Sequence, residues 1–184
     1  MVRVRRRGAA IGTLVLCAWL GLTACTPGEA TPTPTPTGFT SEEEAFAAAE
    51  ATYRAYVDAL NRVDLSDPAT FEDVYAWTTG DALDGEKRSL TEMRAEGWTV
   101  SGGTRVMHIE ADVAQSFVAR GTVVLRACSD VSAVSVVDAG GNSVVSPDRP
   151  AIQAVEIELT EVASSELGWL ISDLRGADFE CSGS

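Results

Sequence analysis

The stretch SEEEAFAAAEATYRAYVDAL, residues 41–60, predicts the long helix on which the rest of the fold depends. Ser41 followed three residues later by Glu44 is a capping box, and the acidic first turn suits the positive end of the helix dipole. Apolar side chains then recur at helical spacing along one face: Phe46, Ala49, Tyr53, Tyr56, Val57 and Leu60. A continuous apolar face must be buried away from water, so this helix is expected to pack against another layer of the protein.

Two shorter helices are predicted next. The second begins at Asp67-Pro68, an N-cap followed by the first helical position, and ends at Gly80. The third is weaker and ends at Gly97. Their apolar positions are Phe71, Val74 and Trp77 in the second helix and Leu83, Leu90 and Met93 in the third.

Beyond Gly102-Gly103 the apolar period changes from 3.6 to 2, which indicates strands. Residues 104–113 place Met107, Ile109 and Val113 on one face and His108, Glu110 and Asp112 on the other. Further β-prone segments are residues 118–128, 131–137 and 152–162 and an arm that starts at Trp169, with a turn at residues 138–142. Helices followed by strands predict an α+β domain with the helices on one face of an antiparallel sheet.

A register can be predicted for the first hairpin. With Asp112 opposite Val118, the apolar Met107 faces Val123 and the charged Glu110 faces Arg120. The exception is Arg105, which faces Leu125 in this register.

The first 24 residues have the pattern of a secretory signal. Four arginines at positions 3, 5, 6 and 7 precede an apolar run over residues 11–22, too short to span a hydrocarbon core that needs about 20 apolar residues. Leu22-Thr23-Ala24-Cys25 resembles the lipobox of bacterial lipoproteins, in which the Cys thiol is joined to a diacylglycerol and the chain is cut just before it. The alternative is a soluble secreted protein with an incidental Cys25. The arginines leave both the general and the twin-arginine export routes open.

Residues 25–38 form a Thr/Pro-rich tether, a semi-rigid spacer of about 3 Å per residue. Removing the four signal arginines from 14 Lys and Arg leaves 10, against 27 Asp and Glu, so the mature chain carries −17 with His neutral. Such a surface excludes nucleic acid as a partner and does not bind anionic lipid. We therefore expect acyl chains on Cys25 to hold the protein on the cell membrane, facing the outside of the cytoplasm.

Cysteine usage agrees with an exported protein. Cys17 leaves with the signal and Cys25 is the lipid site, which leaves Cys128 and Cys181 to form a disulfide in an oxidising compartment. The chain-entropy model gives such a bridge about 4 kcal/mol of stabilisation. The competing hypothesis, a redox or metal pair, lacks a Cys-x-x-Cys motif and a second His.

The order of one long helix, two shorter helices and a bent antiparallel sheet resembles the nuclear-transport-factor-2-like, or cystatin-like cone, superfamily. Cys128-Ser129-Asp130-Val131-Ser132, the turn at residues 136–141 and Gly168-Trp169 before a terminal Cys are similar to actinobacterial lipoproteins of that type. The resemblance covers about Phe39 to the C-terminus and implies a single domain over residues 39–184. In that superfamily the sheet wraps around a cavity, for which the candidate lining here is Tyr53, Tyr56, Trp77 and Met107.

The candidates for chemistry have simpler explanations. His108 shares a strand face with Glu110 and Asp112, which allows a general base, but a solvated face with Glu110 paired to Arg120 explains the same pattern. Enzymes of the superfamily that resemble ketosteroid isomerase need an inward carboxylate beside a Tyr. No such carboxylate can be identified from this sequence. Asp138 and Asn142 flank two glycines, which indicates a turn rather than a calcium loop. We predict no catalytic residue, metal site or cofactor.

Three functions remain. The first is a non-enzymatic binding or interaction module of the cell envelope, with a protein or cell-wall partner. The second is a carrier or sensor of a small hydrophobic ligand that uses the cone cavity. The third is an isomerase or dehydratase.

Overall fold

The computed structural model describes residues 38–181. The predicted signal peptide, the acylation site Cys25 and the tether as far as residue 37 lie outside the described residues, and so do residues 182–184.

Three helices come first in this part of the chain: α1 (Glu42–Leu60), α2 (Phe71–Tyr75) and α3 (Gly80–Ala95). The strands that follow are β1 (Thr99–Ser101), β2 (Arg105–Ala111), β3 (Thr122–Asp130), β4 (Ser135–Val137), β5 (Ile152–Glu161) and β6 (Trp169–Gly176). Four of them form an antiparallel sheet in the order β2-β3-β5-β6, while β1 pairs with β4 in a separate two-stranded sheet. The predicted α+β class, with N-terminal helices packed on an antiparallel sheet, is confirmed. Register irregularities in β2 and between β5 and β6 bend the larger sheet.

The N-terminus of α1 is capped almost as the sequence predicts. The Ser41 side chain accepts a hydrogen bond from the Glu44 backbone N–H at 3.1 Å. The Glu44 carboxylate turns back to the backbone N–H of Thr40 instead of Ser41, at 2.7 Å. Hydrogen bonds from Thr40 hold the pKa of Glu44 below its ordinary value. The first helix therefore begins where its sequence places it.

The second helix is shorter than the sequence predicts. A 3₁₀ turn over Pro68–Thr70 leads into α2, and the Asp67 carboxylate accepts from the Ala69 N–H at 3.1 Å, as expected of an N-cap. The helix stops at Tyr75 because the residues after it pair with β6, where the Thr79 N–H donates to the carbonyl of Ile171 at 2.8 Å. Gly80, predicted to end this helix, instead begins α3.

The predicted register of the first hairpin is wrong. Glu110 lies opposite Arg126 and not Arg120, a shift of six residues (126 against 120), and Arg105 lies opposite Asp130 and not Leu125. The connection between the strands was predicted to be a short turn over residues 114–117, but it extends over residues 112–121 and contains a 3₁₀ turn at Val118–Arg120. From His108 to Ala111 the shift is even, which keeps each side chain on its face of the sheet, so the alternation of apolar residues could not distinguish the two registers there. Before the bulge, at Arg105, the shift is five residues (130 against 125).

The core lies between α1 and one face of the larger sheet. The fully buried strand residues on this face are Val123, Leu125 and Ala127 on β3, Ile157 and Leu159 on β5, and Trp169 and Ile171 on β6. Trp169 stacks on Phe39, the second described residue, with ring centroids 5.3 Å apart. This contact attaches the start of the domain to the last strand. The alternate residues of β3, such as Arg126 and Cys128, lie on the opposite face, here called the outer face.

The C-terminal tail, residues 177–181, runs back over the outer face. The Ala177 N–H donates to the carbonyl of Ala154 on β5 at 3.0 Å, and Cys181 forms a disulfide with Cys128 on β3. The two bridged cysteines are 53 residues apart in the sequence. A segment that would otherwise end in solvent is thus fixed across two strands.

Candidate functional site

None of the four side chains expected to line one cavity belongs to the lining of either cavity described below. Tyr53 and Tyr56 are buried on the inner face of α1, with ring centroids 6.1 Å apart. The Tyr53 hydroxyl lies 3.2 Å from Ser129 Oγ on β3. Aromatic side chains thus fill the region beneath the sheet in which we expected a cavity.

Met107 points away from that interior. The bulge between Val106 and His108 adds a residue to β2, and the Met107 side chain is 45% exposed. The expectation that it lines an internal cavity is wrong, since a bulge interrupts the period-2 alternation on which the expectation rested. Trp77 is half-buried at the margin of the core, where its carbonyl accepts from the Ile171 N–H at 2.9 Å.

Tyr56 has an acidic partner that was not predicted. Its hydroxyl donates a hydrogen bond to Glu86 Oε1 on α3, 2.5 Å away. Burial raises the pKa of Glu86 above its ordinary value, although the bond from Tyr56 acts in the opposite direction. Burial, followed by the charge of Glu86, raises the pKa of Tyr56 well above its ordinary value. A tyrosine beside a carboxyl group of raised pKa is a pair that acid–base catalysts use.

The spacing of α3 did contain a signal for this carboxylate. Glu86 lies three residues after Leu83 and four before Leu90, which places it on the apolar face of the helix. Neither Tyr56 nor Glu86 belongs to the lining of either cavity described below. In this arrangement the hydrogen bond joins α1 to α3.

A groove of about 200 Å³ lies at the end of the domain where α1 stops. Residues distant in the sequence meet there, and apolar side chains predominate. The lining consists of Leu60 at the end of α1, Asn61, Val63 and Leu65 after it, Leu90 and Met93 on α3, Val100, Gly102, Gly103 and Thr104 around β1, and Val134 and Val136 around β4. We call it the end groove. No local pattern predicts this groove, although several of its residues occupy apolar positions of predicted helices.

The polar groups in the end groove are already engaged within the protein. The Asn61 side-chain amide donates to the Thr104 carbonyl at 2.9 Å and accepts from the Thr104 N–H at 2.8 Å. Gly102 has a φ of +78°, and a Cβ at this position would lie 1.8 Å from the carbonyl oxygen of Ala133. Only glycine allows this approach, which brings β1 and the segment before β4 together around the groove. The lining suits an apolar side chain or an apolar ligand.

A wider and more open depression, of about 580 Å³, lies where the C-terminal tail leaves β6. Pro150, Ile152, Val155, Leu174 and Phe179 contribute its apolar surface. The Phe179 ring also lies over Arg126, so the tail itself forms one wall.

The outer face of the sheet carries a row of alternating charges. Glu110, Arg126, Glu156 and Arg175 lie directly opposite one another across the four strands. Arg126 Nη1 lies 3.9 Å from Glu110 Oε1, and Arg175 bonds Glu156. His108 Nε2 lies 3.5 Å from Glu110 Oε2, with the two side chains 59% and 55% exposed. His108 therefore lies on a solvated face, and the partner predicted for Glu110, Arg120, is replaced by Arg126.

Residues 38–181 contain no group of three or more His, Cys, Asp or Glu side chains placed to hold a metal ion. The Asp138 carboxylate closes a turn, accepting from the N–H groups of Gly140 and Asn142 at 2.8 Å each. The hydrogen bonds from Asn142, followed by the one from Gly140, keep the pKa of Asp138 below its ordinary value. Over the same part of the chain, no helix combines the length and apolarity that crossing a membrane requires.

Comparison with known proteins gives structural likeness only. No protein-family model and no curated protein matches the chain. The intermembrane space region of chloroplast protein ARC6 is similar at 12% identity and a TM-score of 0.49, over 71% of this chain and 94% of that one. CagV, a VirB8 homologue of the T4SS of Helicobacter pylori, is similar at 10% identity and a TM-score of 0.46, over 73% and 99%. A Catenulispora acidiphila protein in complex with S-DNPA is similar at 14% identity and a TM-score of 0.45, over 71% of this chain and 90% of that one. At these values the likeness is a partial match of helices and strands.

Proposed function

We propose that the protein is a lipid-anchored, exported protein of the cell envelope, of the actinobacterial type, whose folded domain is a non-enzymatic interaction module. The anchor rests on the sequence Leu22-Thr23-Ala24-Cys25, which follows a basic and apolar signal. Acyl chains on Cys25 would hold the acidic protein on the outer side of the cell membrane, since its net charge gives no attraction to anionic lipid.

The single observation that carries the interaction role is the position of the apolar space. Tyr53 and Tyr56 occupy the region beneath the sheet, and the Tyr56–Glu86 pair touches neither cavity described above. The end groove, in contrast, opens at the surface with an apolar lining. A site with apolar walls and no free titratable group supports binding better than catalysis. We propose that an apolar side chain of an envelope protein binds there.

Photo-crosslinking in cells tests this proposal. A photoreactive amino acid in place of Met93 lies in the end groove, whereas one in place of the neighbouring Glu92 lies on the exposed side of α3. We expect a protein adduct of defined mass from position 93 and not from position 92. Val136→Asp, which puts a charge into the groove, should abolish the adduct. Equal adducts from both positions, or none from position 93, would contradict the proposal.

A small hydrophobic ligand is the second candidate, because the end groove has the volume of a small apolar molecule. Native mass spectrometry of the protein purified from envelopes distinguishes the two. A bound compound of discrete mass that Val136→Asp displaces supports a carrier or sensor. Its absence, together with a protein adduct at position 93, supports the interaction module.

A further inference from the structure

The loop between β2 and β3, residues 112–121, displays two exposed apolar side chains. Val113 is 72% exposed and Phe117 is 56% exposed, more than the other large apolar side chains exposed in the described part of the chain. The loop backbone is held in place by hydrogen bonds. Asp112 Oδ1 accepts from the N–H of Ala114 at 3.1 Å, and Ser116 Oγ accepts from the N–H of Val124 at 3.0 Å. A fixed loop thus presents both side chains to solvent.

This loop lies beside the point at which the N-terminal tether enters the domain. The carbonyl of Gly121, the last loop residue, accepts from the Glu161 N–H at 2.9 Å. The Glu161 carboxylate in turn accepts from the N–H of Gly38 at 2.9 Å. Two hydrogen bonds therefore connect the loop to the first described residue. The end groove lies at the other end of α1, a helix of 19 residues that spans about 28 Å.

A cationic side chain accompanies the two apolar ones. The Arg120 guanidinium lies 5.8 Å from the centroid of the Phe117 ring. At a membrane interface, Phe and Val side chains enter the acyl boundary while an arginine remains among the headgroups and binds phosphate oxygens. The loop has this composition at the end of the domain where the described chain begins, at Gly38.

We propose that Val113, Phe117 and Arg120 dock the anchored domain on the bilayer, with phospholipid as the occupant of this surface. The inference rests on the proposed acylation of Cys25. The 13 tether residues from 25 to 37 reach about 40 Å when extended, so the bilayer lies within range of the loop. Two apolar side chains bind lipid weakly by themselves, but a tether of this length raises the effective concentration of membrane to the millimolar range.

Docking in this orientation points the end groove away from the membrane. The neighbouring carboxylates, Asp112 and Glu161 together with the acidic first turn of α1, repel anionic headgroups. The proposal therefore requires stronger docking on zwitterionic phosphatidylcholine than on bilayers rich in anionic lipid.

The test uses the acylated full chain in phosphatidylcholine vesicles with a nitroxide attached to a single introduced cysteine. Ala114→Cys places the label at an exposed loop position beside Val113 and leaves all three docking residues in place, and Val144→Cys, at an exposed apolar position near β4, is the matched control. We expect the label at position 114 to gain collisions with oxygen and to lose collisions with a water-soluble nickel chelate several-fold, with no change at position 144. Equal exposure of both labels to water overturns the inference. Shielding of position 114 that is the same with and without vesicles also overturns it, because the tether would then be what covers the loop.

A second variant separates docking from folding and from anchoring. Val113→Ser combined with Arg120→Ser should leave the melting temperature unchanged, because both side chains are exposed, and should return the label at position 114 to water. A label that stays in lipid in this variant overturns the inference. Mass spectrometry of the same samples reports the anchor: a mature chain without diacylglycerol on Cys25 overturns both the proposed function and this inference, whereas an acylated chain with a water-exposed loop overturns this inference alone.

Discussion

The Phe179 ring lies over the guanidinium of Arg126, with its centroid 4.2 Å from Cζ. Arg126 belongs to the charge row on the outer face, and Cys128, two residues further along β3, holds Cys181 of the same tail. The tail is therefore fixed by an aromatic contact and a covalent bond on neighbouring positions of one strand. Its removal would expose the central part of the outer face.

Loss of the disulfide should lower the free energy of unfolding by about 4 kcal/mol, since the bridge closes a loop of 53 residues in the unfolded chain. The change is Cys128→Ala combined with Cys181→Ala, measured by urea denaturation beside the oxidised protein. Adding a reductant to the unaltered protein should give a similar loss. A difference below about 1 kcal/mol would show that the unfolded chain gains little freedom when the bridge is absent.

Phe179→Ala should lower the free energy of unfolding by about 1 kcal/mol, because the cation–π contact with the half-buried Arg126 is lost. Phe117→Ala is the matched control, since that ring is exposed and lies further from its arginine; its effect should stay within about 0.5 kcal/mol. In the variant without the disulfide, the effect of Phe179→Ala should shrink, because a released tail no longer holds the ring in place. Full additivity of the two changes would argue against this coupling.

Glu86→Gln should make stability less dependent on pH. Because burial raises the pKa of Glu86 in the folded state above its unfolded value of 4.5, this group favours folding below the unfolded pKa and loses that contribution as pH rises through the folded pKa. Glutamine keeps an acceptor for the Tyr56 hydroxyl without the charge. We measure the free energy of unfolding by denaturation between pH 4.5 and neutral pH. As pH increases, the free energy of unfolding of the variant should rise relative to that of the unaltered protein.

Glu92→Gln is the control for this experiment, on an exposed position of the same helix. It removes a carboxylate without touching the Tyr56–Glu86 hydrogen bond. If Glu86→Gln and Glu92→Gln have the same profile, the Tyr56–Glu86 hydrogen bond contributes no pH dependence.

Gly102→Ala should destabilise the protein by about 3 kcal/mol or more, through a steric clash with the carbonyl of Ala133 in addition to its positive φ. Gly141→Ala isolates the contribution of φ, since Gly141 has a φ of +82° but no atom within 4 Å of the added Cβ; we expect a loss of about 1 kcal/mol. Thermal and urea unfolding of both variants gives the comparison. Equal losses would mean that the segment before β4 moves aside at little cost.

Local patterns predicted the helices well where the determining contacts lie between residues close in the sequence. The cap of α1 and the spacing of its apolar residues each involve residues that are close in the sequence, so both can be predicted from the sequence alone. The prediction failed where contacts with a distant segment determine the local structure. Thr79 bonds to Ile171 and shortens α2, and the bulge beside Met107 turns that side chain out of the interior.

By itself, the sequence determined the α+β class, the start of α1 and the acidic character of the chain, because these depend on composition and on periodicities of two to four residues. Only the tertiary structure decided the hairpin register, the partner of Glu86 and the existence of the end groove. The reason is physical: an even register shift preserves the alternation of faces, and a groove built from the ends of α1 and α3 and from β1 and β4 depends on distances between segments that no local pattern encodes.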